Sequence, residues 1–146
     1  MSEMMLTTTR QINAPVETVF NAWLSPEMLK KFMLPGTTTL VPRAETDPRV
    51  GGRFTIVMRD GGKDIAHSGT YLSIDRHSKI VFTWESPFSV DGSTVTLDLR
   101  ALDAKSCEIT LTQVKFASES ARDGHRKGWD GILEALSKIN PQDFAA

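Results

Sequence analysis

The sequence predicts an α+β domain in which an antiparallel sheet of about six to seven strands faces one long C-terminal helix. Three observations carry that prediction. From Thr37 onward apolar and polar residues alternate with period two, interrupted by glycine-rich turns. Between the first strand and that meander lie two short stretches with helical spacing. Last, His125 to Ile139 carries an apolar stripe of Trp129, Ile132, Leu133, Leu136 and Ile139 at about 100° per residue.

The first strand is read over Leu6 to Ile12, where threonines dominate and Asn13-Ala14-Pro15 stops it. Pro15 suits a helical first turn, and Val16, Val19, Phe20, Trp23 and Leu24 recur at helical spacing after it. Ser25-Pro26-Glu27 reads as cap, first position and acidic first turn of a second short helix with Met28, Leu29 and Phe32, stopped by Pro35-Gly36. Thr37 to Thr46 is the next strand, and Pro42 marks it as an edge or a bulge because proline donates no ladder hydrogen bond. Arg53 to Arg59 places Phe54, Ile56 and Met58 on one side, before the Asp60-Gly61-Gly62 turn. His67 to Asp75 and Lys79 to Glu85 follow, the latter with Ile80, Phe82 and Trp84 on one face. Thr94 to Leu102 aligns Val95, Leu97 and Leu99, and the last strand aligns Cys107, Ile109 and Leu111. The apolar sets are expected on one sheet face under the terminal helix, since a one-residue slip would expose every member.

The terminal helix carries a second message. Gly124, Gly128, Gly131 and Ala135 form a bare ridge on its flank. Each interior glycine costs about 1 kcal/mol relative to alanine, so either tight packing or a need for empty space must offset the penalty.

Composition narrows the partners. The 146 residues suit one domain, taken as 1–146 with a core over about 7–139. A net charge of −1, from 17 basic and 18 acidic side chains spread evenly, leaves no footprint for nucleic acid. No apolar run approaches the ~18 residues of a membrane span, so no integral membrane association is expected. Met1 to Arg10 lacks a basic start followed by an apolar stretch, and the lone Cys107 makes no internal disulfide; both point to the cytoplasm.

Several pieces, taken in order, resemble a known group. Ile12-Asn13-Ala14-Pro15-Val16-Glu17-Thr18-Val19-Phe20-Asn21-Ala22-Trp23 is followed by Val50-Gly51-Gly52-Arg53-Phe54, Gly69-Thr70-Tyr71, Ile80-Val81-Phe82-Thr83-Trp84-Glu85, and His125 with Gly128-Trp129. From Thr7 to Ile139 this resembles the activator-of-Hsp90-ATPase homologue group (AHSA1-like) of the START-like, helix-grip (SRPBCC) superfamily. The resemblance implies a sheet wrapped around the long helix with a cavity between them. It brings no shared catalytic motif, so no catalytic residue is assigned.

The chemistry agrees with a binding protein. No His-x-x-x-His or Cys-x-x-Cys occurs, no Gly-x-Ser-x-Gly elbow, and no Lys-Ser/Thr ending after Gly51-Gly52 or Gly61-Gly62, so neither a metal nor a cofactor is expected. Cys107 shares a face with Ile109 and Leu111 and reads as a small buried hydrophobe. His125 either satisfies itself on a backbone carbonyl or meets a ligand in the cavity, its neutral form favoured by a helix N-terminus expected nearby. Tyr71 either packs its ring or orients a ligand. Arg53, Arg59 and Glu85 fall on the outer face, and Arg122, Arg126 and Lys127, with partners Asp130, Glu134 and Lys138 at four-residue spacing, read as an ordinary solvated helix face.

The expected cavity lining is Trp23, Phe32, Phe54, Met58, Tyr71, Phe82, Trp84, His125, Gly128, Trp129 and Ile132. The expected occupant is a small, mostly apolar or lipid-like molecule. Two rivals rest on the resemblance alone: a polyketide cyclase or aromatase-like enzyme using the same cavity, and an Hsp90 co-chaperone-like interaction protein. A homodimer stays open.

Overall fold

The computed structural model describes residues 4–144, so the first three and last two positions of the expected 1–146 span lie outside the described residues. The elements are β1 (Met5–Ile12), α1 (Val16–Ala22), α2 (Pro26–Phe32), β2 (Leu40–Thr46), β3 (Arg53–Asp60), β4 (Lys63–Asp75), β5 (Lys79–Thr83), β6 (Thr94–Asp103), β7 (Ser106–Val114) and α3 (Glu119–Ser137). A single turn of 3₁₀ helix, Pro141–Asp143, follows. All seven strands form one antiparallel sheet in the order β1-β7-β6-β5-β4-β3-β2. This is the helix-grip α+β architecture.

Local chemistry explains most of the boundaries. Ser25 caps α2 by accepting a hydrogen bond from the Met28 amide, and Pro26 occupies the first helical position, where its missing N–H costs nothing. β2 is an edge strand whose register breaks between Leu40 and Arg43, around Pro42. Gly61 and Gly62, both at positive φ, join β3 to β4 in a hairpin that pairs Asp60 with Lys63. At Gly69 any Cβ would lie 2.0 Å from the Thr83 carbonyl and 2.6 Å from the Phe54 ring, so glycine there is what admits Phe54 to the core.

The strand phases follow the alternation. Phe54, Ile56, Met58, Val95, Leu97, Leu99, Ile109 and Leu111 are all buried, and Trp129, Ile132, Leu133 and Leu136 of α3 are buried with them. Each such side chain contributes about 1.5–3 kcal/mol when removed from water, which is why the register cannot slip.

Some boundaries differ from those read in the sequence. β2 begins at Leu40 rather than Thr37, β4 at Lys63 rather than His67, and β5 ends at Thr83, with Glu85 reduced to one bridge with Ser68. The largest difference is α3. It begins at Glu119, not His125, and Ser118 caps it by accepting from the Ala121 amide at 3.0 Å. His125 therefore stands well past the first turn, beyond the reach of the helix-end field, and the expected help from that field does not apply.

The polar face of α3 also differs. Of the expected partners along the helix, Asp130 instead accepts from Thr8 Oγ1 at 2.5 Å, Glu134 pairs with Arg10, and Arg126 donates to the Thr7 carbonyl at 3.1 Å. Lys138 and Glu134, 3.4 Å apart, do make a four-residue pair. Exposed contacts of this kind are individually weak, but here they repeat along β1 and pin the helix across it.

Candidate functional site

A cavity of about 470 Å³ lies between the N-terminal half of α3 and the β3–β4 hairpin. The sheet supplies Met58 from β3, Ile65 and His67 from β4, and Trp84 just beyond β5. Met58 and Ile65 are direct cross-strand partners. Trp84 is fixed by its amide, which donates to the Ser93 carbonyl at 3.0 Å, and by the neighbouring Ser68–Glu85 bridge. From the helix come His125, Gly128, Trp129 and Ile132, with Gly124 at the open end, while Pro35, Thr39, Asp60, Ser86 and Phe88 border the remainder.

Three rings run together along the wall. His67 stacks on Trp84 with centroids 5.1 Å apart and planes at 28°, and Trp84 meets Trp129 at 4.8 Å and 55°. Trp129 is held by a buried relay: its Nε1 donates to Gln113 Oε1 at 2.7 Å, Gln113 Nε2 donates to Ser93 Oγ at 2.9 Å, and Ser93 Oγ donates to the Val114 carbonyl at 2.9 Å. Gln113 and Ser93 are essentially solvent-free, so this network is fully satisfied in a low dielectric and fixes the indole as a rigid wall.

The glycine ridge serves both purposes that its sequence allowed. At Gly131 a Cβ would sit 2.2 Å from the Pro35 carbonyl oxygen, so this glycine is a packing device. At Gly128 it would make an ordinary 3.5 Å contact with Pro35 Cβ, and at Gly124 it would meet nothing within 4 Å. The helix is pressed against the Pro35 loop at one end and stands clear at the other.

Two imidazoles give the cavity its polarity. His125 Nδ1 lies 2.7 Å from the Ala121 carbonyl, an acceptor, so this nitrogen carries the hydrogen and Nε2 of the neutral ring is left as an acceptor. Ser89 Oγ stands 3.4 Å from that Nε2. The backbone-satisfied reading of His125 thus holds at Nδ1, while among the described residues Nε2 has only this long contact. His67 is pushed below the ordinary imidazole range by burial; the carbonyls of Ile56 and Ile65 pull against that, and nearby His125 adds to it. His67 Nδ1 is buried without a hydrogen-bond partner.

Six of the eleven expected lining residues meet at this cavity: Met58, Trp84, His125, Gly128, Trp129 and Ile132. The other five stand elsewhere. Trp23, Phe54, Tyr71 and Phe82 surround a separate void of about 10 Å³, barely room for one water, and Phe32 packs edge-on against Trp23 at 4.9 Å. The reason is α2, which fills that end of the interface with Met28, Leu29 and Phe32. Tyr71 is thus a core residue whose phenol burial pushes upward in pKa, and it does not share a cavity with His125. Cys107 is buried, its thiol pushed up to about 11 by burial, which leaves it inert.

Sequence reasoning missed His67, Ile65 and the loop residues Pro35, Ser86 and Phe88. A signal existed for Gln113, which continues the inward series Ile109 and Leu111 with a polar side chain that must find a buried partner. Arg53 and Glu85 pair at 2.9 Å on the outer face, as expected of a surface pair. Among the described residues no cluster of three or more His, Cys, Asp or Glu could hold a metal ion, and no helix is long and apolar enough to cross a membrane.

Known structures share this frame. An AHSA1-like protein from Aeromonas hydrophila superposes with a TM-score of 0.78 at 21% identity, covering 92% of this chain and 90% of that one. A protein from Cytophaga hutchinsonii reaches 0.71 at 28% identity with 94% of each chain covered. An Hsp90 activator from Plasmodium falciparum reaches 0.71 at 22% identity, covering 91% and 93%. No match is found among curated proteins. The family model for activator of Hsp90 ATPase homolog 1-like proteins matches residues 13–140, which include both short helices, strands β2 to β7 and the whole of α3, and the chain belongs to that family.

Proposed function

We propose that the protein binds a small, mostly apolar molecule between α3 and the β3–β4 hairpin. The observation that carries this reading is a 470 Å³ cavity walled by Met58, Ile65, Trp84, Trp129 and Ile132, against about 10 Å³ left among Trp23, Phe54, Tyr71 and Phe82. Volumes of roughly 300–1,000 Å³ suit drug-sized ligands, and an apolar wall with a few polar groups is the usual construction of such sites. The direct test is Gly128→Leu, read by titration with a neutral apolar dye and by thermal unfolding. Leucine at this position should abolish dye binding while its better helix propensity limits the loss of stability. Unchanged affinity together with a large fall in melting temperature would sink the reading and leave Gly128 as a packing residue.

A second reading follows from the family and from the Plasmodium relative, whose name states that it activates Hsp90. Addition of the purified protein to the cognate Hsp90 should then raise ATP turnover, and the same gain with Gly128→Leu would separate this role from ligand binding.

A further inference from the structure

Resting on the ligand-binding reading and deepening it, we infer that the occupant is a neutral, mostly apolar molecule with an O–H or N–H donor, whose donor is received by His125 Nε2. Met58, Ile65 and Ile132 wall the space with apolar side chains, the indoles of Trp84 and Trp129 are almost wholly buried beside it, and Gly124 and Gly128 on the helix side carry no side chain.

Charge decides against an anionic lipid. Among the described residues lining the cavity none is lysine or arginine, and the one carboxylate there, Asp60, is held by Thr38 Oγ1 at 2.9 Å. A carboxylate or phosphate ligand would be desolvated beside a like charge with no counter-ion. His125 decides what polar group is welcome instead. Its Nδ1 is turned back to its own helix by the 2.7 Å bond to Ala121, which directs the Nε2 edge away from the helix backbone. Ser89 Oγ, at 3.4 Å, is a long partner for that Nε2 and has a shorter one in Ser86 Oγ at 2.9 Å. An acceptor so weakly engaged rewards a ligand that brings a donor and discriminates against the same ligand without one.

Three probes of one shape test this by calorimetric titration at about pH 8: naphthol, its methyl ether and naphthoate. On the unmodified protein naphthol should bind about fivefold or more tighter than the ether, the worth of one net hydrogen bond, and naphthoate should bind most weakly. In His125→Phe the naphthol and ether affinities should converge. Nitrogen NMR of the imidazoles gives a readout that needs no variant: the Nε2 resonance of His125 should move on addition of naphthol and stay with the ether. Equal binding of naphthol and ether to the unmodified protein, survival of the preference in His125→Phe, a static Nε2 resonance, or tightest binding of naphthoate would each overturn the inference while leaving cavity binding intact. No binding of any of the three to the unmodified protein would overturn both.

Discussion

The two ends of the sheet–helix interface are built from the same residue types and differ in what covers them. At one end Trp23, Phe32, Phe54, Tyr71 and Phe82 make edge and tilted ring contacts 4.9 to 6.5 Å apart under α1 and α2, and only about 10 Å³ stays empty. At the other, His67 stacks on Trp84 and Trp84 meets Trp129 of α3 at a tilt, but no residue of α1 or α2 borders the space, and about 470 Å³ stays open between the sheet and α3. An aromatic ring on the inner sheet face is therefore neither core nor site by its own nature. The third layer decides.

Truncating a ring at the closed end should have the largest effect. Phe32 is fully buried, and Phe32→Ala should cost roughly 3–5 kcal/mol in urea unfolding while the affinity for a neutral apolar dye is retained in the remaining folded protein. A loss below about 1 kcal/mol would mean that the closed end relaxes as readily as the open one.

The glycines of α3 sharpen the comparison on a smaller scale, because the same substitution should have opposite signs about two turns apart. Gly131→Ala forces a Cβ against the Pro35 backbone and should destabilise by about 1–3 kcal/mol in spite of alanine's helix preference. Gly124→Ala meets only open space and should stabilise by up to about 1 kcal/mol. Thermal melts of the pair decide it, and equal signs would remove the distinction between the packed and the open half of the helix.

The smallest expected effect is a dependence on pH that belongs to the open end. In the unfolded chain His67 titrates near the ordinary value of about 6.5, whereas the folded environment lowers it. The unfolded state therefore binds more protons as pH falls below about 6.5, and stability should fall with it; above that value the effect vanishes. Urea midpoints compared at about pH 8 and pH 5 should show less decline in His67→Phe than in the unmodified protein. Parallel declines would mean that His67 is as well solvated folded as unfolded.

These differences also mark what the sequence could and could not say. Period-two alternation placed Phe54, Ile56, Met58, Val95, Leu97, Leu99, Ile109 and Leu111 on the buried face, because that parity is a property of each strand alone. The same parity holds for Phe82, beside a filled void, and for Trp84, at a cavity wall, so it could not tell them apart. That distinction depends on how far α2 reaches over the sheet. His67 was passed over because Lys63-Asp64-Ile65-Ala66 lacks the β-branched and aromatic density of a strand, although its hairpin with β3 is fixed by Gly61-Gly62. The true start of α3 was hidden by Gly124, which depresses helix propensity where the cavity needs space, so the Ser118 cap six residues upstream went unread.

The position of β1 carries a consequence for how the molecule is made. It pairs with β7, from Met5 opposite Val114 to Ile12 opposite Cys107, and its side chains and backbone reach partners in α3 that lie 119 to 124 residues later in the chain. On a translating ribosome the first strand therefore emerges about a hundred residues before anything that can accept its hydrogen bonds. Local helices and the β3–β4 hairpin have the whole of that interval in which to form, whereas closure of the sheet waits for the last third of the chain to leave the exit tunnel. Until then, Leu6 and Ile12, both buried in the finished protein, have no core of their own, and the unbroken polar run between them, Thr7 to Gln11, is what keeps the waiting segment hydrated.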